Sequence, residues 1–130
     1  MREAQLQTKL LKELKNHGWF YKASDRYRAG IPDIIGCYQG RFLALELKVE
    51  PNKPTKLQEY EIKQIKKADG SAQVISYSNK TKLYYADNTE HQTLGDLIQC
   101  ILKQSLSSTN ENVFKPLDLG HSSPSFWNLD

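Results

Sequence analysis

Two carboxylates and one lysine are predicted to meet at one end of a β-hairpin in this chain of 130 residues. Asp33 begins one apolar run, Glu46 and Lys48 end the next run, and a Gln39–Gly40 turn separates the two. Antiparallel pairing across such a turn brings the start of the first run beside the end of the second. Adjacent carboxylates repel each other unless a cation lies between them, and their oxygens suit a hard divalent cation. The pattern therefore predicts a divalent metal site beside a lysine.

Strand periodicity places Glu46 and Lys48 together on a face that begins apolar. Even positions from 42 to 48 share one face of the strand, and odd positions from 43 to 49 share the other. A buried carboxylate without a partner is costly, whereas a lysine and a metal ion would compensate its charge. A second interpretation stays open, in which Asp33 is a surface acid and the Glu–Lys pair only solubilises the end of a strand.

The elements that must position these residues follow from hydrophobic spacing. The spacing predicts helices over 3–17, 55–68 and 94–106 and strands over 19–24, 33–38, 41–49, 72–78 and 82–87. The order α-β-β-β-α-β-β-α predicts an α/β fold with a mixed β-sheet flanked by helices. We expect one domain over residues 1–106. Residues 107–130 are rich in Ser and Asn, which indicates a tail that is either flexible or a docking arm carrying Phe126 and Trp127.

Two further polar residues lie on apolar faces of the predicted helices. Glu3 shares the stripe of Leu6, and Gln58 shares the arc of Ile62. An acid on a face that packs against the body requires an explanation, although Glu3 at the start of its helix could equally complement the helix dipole. Glu61 borders the same arc as Gln58 and is a competing candidate.

The composition permits a polyanionic partner without requiring one. The chain has 18 basic and 15 acidic residues, for a net charge of +3. Basic residues before and after the hairpin could contact the phosphates of a nucleic acid, although a solvated surface explains any single one equally well. The candidates are Lys22, Arg26, Arg28, Lys53, Lys56, Lys63 and Lys67.

Other classes of protein are disfavoured by what the sequence lacks. No apolar run has the length of a membrane span, and no phosphate-binding glycine loop or dinucleotide fingerprint is present. We therefore expect a cytoplasmic protein without a membrane partner or a nucleotide cofactor. Cys37 and Cys100 lack metal-ligand spacing and are predicted to be free, buried thiols.

Four segments in order carry a resemblance to a known family. They are EAQLQ at 3–7, GIPDIIG at 30–36, ALELK at 44–48 and TKLQEY at 55–60. Together they resemble the PD-(D/E)XK nuclease superfamily, and within it the small stand-alone VRR-NUC type and Holliday-junction-resolvase-like enzymes. The resemblance runs from Glu3 to about Tyr77 and implies a restriction-endonuclease-like core.

The resemblance also implies a role for each matching residue. Asp33 and Glu46 would bind the metal together with the backbone carbonyl of Leu47, and Lys48 would be the catalytic lysine. Glu3 and Gln58 would fill supporting positions, with Glu3 able to share in holding a metal ion. A bound Mg²⁺ would activate water and stabilise charge on phosphorus during phosphodiester hydrolysis, and Mn²⁺ is expected to substitute for it.

These observations predict a metal-dependent endodeoxyribonuclease that acts on branched or otherwise structured DNA. A sequence-specific endonuclease of restriction or homing type is a second interpretation, and a non-catalytic nucleic-acid-binding domain is a third. A homodimer is expected, because two chains with one site each can cut two strands.

Overall fold

The structure is a computed structural model that describes residues 1–23 and 27–107. Within these residues the chain forms three helices and six strands. In chain order they are α1 (Glu3–Leu14), β1 (Trp19–Lys22), β2 (Ile34–Tyr38), β3 (Arg41–Val49), α2 (Lys56–Lys67), β4 (Ser71–Ser78), β5 (Leu83–Ala86), β6 (Thr89–His91) and α3 (Leu94–Leu106). None of these helices has the length and apolar character needed to cross a membrane.

The six strands form one sheet in the order β1-β2-β3-β4-β5-β6. Neighbouring strands are antiparallel except β3 and β4, which are parallel and are connected through α2. The predicted α/β class, with a mixed sheet flanked by helices, is confirmed. Arg26 and the predicted tail beyond residue 107, including Phe126 and Trp127, lie outside the described residues.

The strand β6 was not predicted from the sequence. It pairs with β5 through a tight turn in which Asp87 and Asn88 have φ angles of 46° and 74°. Asp and Asn tolerate this left-handed conformation, so the pair forms a two-residue hairpin turn. The three residues of β6, Thr-Glu-His, show no alternation of apolar and polar side chains, and the usual signal for a strand is therefore absent.

The two faces of the sheet are covered unequally. Helices α1 and α3 pack on one face, where a large core includes Leu6 and Leu10 of α1 and the odd-numbered leucines of β3. Helix α2 covers part of the other face with a small cluster around Ala44, Ala72 and Ile62. Strand β3 is therefore buried on both sides through most of its length.

The β2–β3 hairpin sets the register on which the site depends. Gln39 and Gly40 have φ angles of 49° and 82°, as a two-residue hairpin turn requires. The pairing runs without a bulge from Tyr38 opposite Arg41 to Ile34 opposite Leu45. One further step in this register sets residue 33 opposite residue 46.

The prediction that both thiols are buried is wrong for Cys37, which is exposed, whereas Cys100 is half-buried. The cause is the position of α2, whose apolar contacts are centred on β3 and β4 and leave the outer part of the sheet uncovered. Cys37 lies in β2 between Trp19 of β1 and Phe42 of β3.

Candidate functional site

The site begins at Asp33, which is held by three hydrogen bonds at the point where β2 starts. Its Oδ2 atom accepts a hydrogen bond of 2.8 Å from the backbone N–H of Leu47. Its backbone carbonyl accepts from the N–H of Ala23 at 2.8 Å and from the amide of Gln7 on α1 at 3.3 Å. Pro32, directly before it, has a fixed φ angle. Both the backbone and the carboxylate of Asp33 are therefore fixed against neighbouring elements.

Glu46 extends from β3 into the interior, where its side chain is only 2% exposed. Its Oε2 atom lies 3.6 Å from Nζ of Lys48, an ion pair slightly longer than a hydrogen bond. Its Oε1 atom is buried and has no hydrogen-bond partner among the described residues. A buried acceptor without a donor is unfavourable, so this oxygen is suited to receive a proton or a cation.

The surroundings of Glu46 favour its neutral form in the absence of metal. Burial is the largest cause, and the Asp33 carboxylate is the second, while Lys48 acts in the opposite direction by less. Together they raise the pKa of the Glu46 carboxyl from 4.5 to about 8. Two carboxyl groups that share a buried space behave in this way unless a positive charge joins them.

Glu3 approaches the same edge of β3 one step further along. Its Oε2 atom lies 3.5 Å from the N–H of Val49 and 3.2 Å from the side-chain amide of Asn52. The N–H groups of alternate residues in a strand point to the same edge, so Glu3 and Asp33 line the edge of β3 that β2 leaves open. Within residues 1–23 and 27–107, no three His, Cys, Asp or Glu side chains are grouped as metal ligands. Glu3 is thus a neighbour of the acidic pair, not a third member of it.

Gln58 lies at the start of α2, where its side chain has a local role. The Oε1 atom of Gln58 accepts from the N–H of Thr55 at 2.9 Å, and Thr55 Oγ1 accepts from the N–H of Gln58 at 3.1 Å. This reciprocal pair is a capping box, a common stabilising device at the start of a helix. The oxygen of the Gln58 side chain is therefore committed to the cap.

Glu61, the competing candidate on α2, is buried and bound to Arg28. The guanidinium of Arg28 donates hydrogen bonds of 2.9 to 3.2 Å to both carboxylate oxygens. The side chain of Glu61 is 8% exposed and that of Arg28 is 60% exposed. This pair ties the loop that leads to Asp33 to the middle of α2. Sequence reasoning assigned Arg28 to DNA and missed the pairing, since no local pattern links two residues so far apart.

The remaining basic candidates lie on the surface. Lys56, Lys63 and Lys67 lie on the face of α2 opposite the buried Ile62. Lys22 ends β1, and Lys53 lies in the loop before α2. All five side chains are exposed, so each is accessible to a polyanion.

Two comparisons with known proteins give no match. A scan of the sequence against protein-family models finds no matching family, and a search of curated proteins finds no similar sequence.

The raised pKa of Glu46 predicts a specific dependence of stability on pH in metal-free protein. Between pH 4.5 and about 8 the folded state holds a proton that the unfolded state has lost. Stability from this group is complete below pH 4.5 and falls by a few kcal/mol in total as the pH rises through about 8. Glu46→Gln removes the titration, so in EDTA the variant should melt at a higher temperature than the wild type above about pH 8.

The control for this experiment is the divalent cation itself. Mg²⁺ should raise the melting temperature of the wild type, increasingly so at higher pH, and should have little effect on Glu46→Gln. A difference in melting temperature between the two proteins that does not change with pH would contradict the assignment.

The Arg28–Glu61 pair predicts a second effect on stability. Arg28→Ala should lower the free energy of unfolding by about 1–3 kcal/mol, because it leaves the buried Glu61 carboxylate without a donor. The double variant Arg28→Ala/Glu61→Leu should recover most of this loss, since it removes both partners. Urea denaturation measures both changes, with Lys63→Ala as an exposed control expected within about 0.5 kcal/mol of the wild type. Equal stability of the single and double variants would contradict the prediction.

Proposed function

We propose that the protein is a Mg²⁺-dependent endonuclease of the PD-(D/E)XK superfamily, with a restriction-endonuclease-like core. Its reaction is the hydrolysis of phosphodiester bonds in branched or otherwise structured DNA. The observation that carries the proposal is the meeting of Asp33, directly before β2, with Glu46 of β3 beside Lys48. One buried oxygen of Glu46 has no hydrogen-bond partner within the described part of the chain. A binding module has no need of two repelling acids at this place.

The residues present fit a hard divalent cation. Asp33 and Glu46 offer carboxylate oxygens, and the carbonyl of Leu47 faces the same edge of β3 as the N–H that Asp33 binds. A bound Mg²⁺ would supply a water of lowered pKa and charge stabilisation on the phosphate. Glu3, directly along this edge, is suited to hold a water or a second ion.

Lys48 is the residue of this chain that is suited to act on the nucleophile. Its side chain is 12% exposed, and its ammonium group lies 3.6 Å from Glu46. From this position it orients the attacking water and offsets negative charge on a phosphate oxygen. When a metal ion neutralises Glu46, the ammonium group of Lys48 can interact with the substrate instead.

A polyanionic partner and a second copy of the chain are part of the same proposal. The exposed lysines that precede and follow the hairpin in the chain suit phosphate contacts, and DNA is the proposed partner. We also propose a homodimer, for which the sequence offers the C-terminal helix or the segment with Phe126 and Trp127 as candidate interfaces. Helix α3 buries Leu97, Ile101 and Leu102 in the core of its own chain, so these residues are not available for a dimer contact. Mn²⁺ is expected to replace Mg²⁺.

The metal requirement is the first test of the proposed function. DNA cleavage should require Mg²⁺ or Mn²⁺ and stop in EDTA. Asp33→Asn should lose cleavage while keeping its fold, because the amide oxygen can still accept the hydrogen bond from Leu47. Cleavage of a four-way junction, a flapped duplex and a linear duplex is measured side by side on gels. Cleavage at an unchanged rate in EDTA or by Asp33→Asn would remove the proposed mechanism.

Substitution of Lys48 separates catalysis from binding. Lys48→Ala should lower the turnover rate by about 100- to 10,000-fold while leaving DNA affinity nearly unchanged, because Lys48 acts in the transition state. Lys56→Ala, an exposed control, should keep cleavage and reduce the salt dependence of binding by about one unit of slope. Melting temperature, affinity and rate are measured on the same samples. If Lys48 only compensated Glu46, its removal would lower stability, binding and cleavage together.

A further inference from the structure

Three aromatic side chains lie exposed on the part of the sheet that α2 does not cover. Trp19 is 64% exposed, and Tyr21 and Phe42 are each 44% exposed. Trp19 and Phe42 flank Cys37 in one row across β1, β2 and β3, and Tyr21 lies opposite Ile35 in the next row. The rings of Trp19 and Tyr21 are in contact, with centroids 5.1 Å apart. We call Trp19, Tyr21 and Phe42 the aromatic platform.

The aromatic platform lies on the same face of the sheet as the acidic site. Phe42, Ala44, Glu46 and Lys48 occupy every second position along β3, so their side chains project to one side of the sheet. The platform also reaches toward Asp33, because Tyr21 is two residues from Ala23, whose N–H binds the Asp33 carbonyl. Two residues of a strand span roughly 7 Å, which is short compared with a DNA substrate.

We propose that the aromatic platform stacks with unpaired bases of the substrate, so that the enzyme prefers DNA with single-stranded nucleotides beside the cleaved phosphate. This inference rests on the proposed nuclease function and names its substrate class. Aromatic rings bind bases by their flat faces, which a duplex keeps inside its own stack but which a single-stranded arm exposes. A duplex offers this platform only phosphates and groove edges.

A positive charge near the platform suits the phosphate backbone of the DNA strand whose bases would stack on it. Lys48 lies on the platform's own face, whereas the exposed Lys22, which follows Tyr21 at the end of the edge strand β1, projects to the other face. Rings that stack with bases, together with a cation on the same face that contacts phosphate, suit single-stranded nucleic acid.

The size of the platform favours bases over a second copy of the chain. Aromatic side chains bury at most 150–250 Å² each, so the exposed portions of the three rings total on the order of 300–400 Å². A stable protein interface takes roughly 800 Å² from each partner. The platform alone is thus too small for a dimer but covers one or two bases.

The test compares two DNA molecules that differ only in a single-stranded arm on one common duplex. Affinity is measured with Ca²⁺ in place of Mg²⁺, so that binding is read without cleavage. Trp19→Ala/Tyr21→Ala should weaken binding of the armed DNA by about 5- to 100-fold and binding of the plain duplex by less than about twofold. Trp19→Phe/Tyr21→Phe keeps an aromatic ring at both positions and should restore most of the affinity. Tyr60→Ala, an exposed aromatic on α2, is the matched control and should change neither.

A chemical readout independent of affinity comes from Cys37, which lies between two platform rings. In a Cys100→Ser background Cys37 is the sole thiol of the chain. The armed DNA should slow alkylation of Cys37 several-fold, and the plain duplex should not.

Equal losses of affinity on both DNA molecules, or no loss on either, would overturn the proposal. A wild-type dimer that becomes a monomer in Trp19→Ala/Tyr21→Ala, by light scattering without DNA, would assign the platform to a second copy and overturn it too. Binding that depends on the single-stranded arm, without any cleavage, would instead contradict the nuclease function and still support stacking of bases on the platform.

Discussion

The burial of one carboxyl group, that of Glu46, is the constraint to which the rest of the structure responds. β3 lies in the middle of the sheet and is covered on both faces, so a charge on it has little access to water. The fold supplies one lysine at 3.6 Å and no donor from the described residues to the second oxygen. Such an arrangement is costly, and the large apolar core on the opposite face supplies the stability that tolerates it. Neutralisation by a proton and neutralisation by a cation are then competing states of the same group.

The hairpin turn gives that carboxyl its neighbour. Because Gln39 and Gly40 both adopt positive φ angles, β2 and β3 pair in a single register from the turn outward. A slip by one residue would turn Glu46 to the leucine-rich core and Leu45 toward the site. The hydrogen bond from the Leu47 N–H to the Asp33 carboxylate continues the ladder by one step with a side chain in place of the backbone, so β2 begins directly after the acid.

Sequence patterns predicted what local rules control and missed what depends on distant packing. The meeting of Asp33 with Glu46 was predictable because a two-residue turn and strict alternation fix it. The pairing of Arg28 with Glu61 was not, since it joins residues 33 positions apart across a loop. The exposure of Trp19 and Cys37 escaped prediction for a related reason. In the stretch WFYK all but the last residue are apolar, so alternation could not tell which face of β1 a helix would cover.

The unequal cover of the two faces joins these features into one arrangement. On the covered face leucines fill a deep core against α1 and α3. On the other face the small side chains of Ala44 and Ala72 let α2 lie close to β3 and β4, and the capping box at Thr55 starts the helix beside that contact. Because α2 is the helix that packs on this face and its apolar contacts centre on β3 and β4, β1 and the outer edge of β2 stay uncovered. If a larger helix layer covered this face, the aromatic rings would become core, and the surface that leads toward Lys48 would close. Incomplete cover of this face is therefore what leaves the aromatic platform exposed on the same side of the sheet as the acidic site.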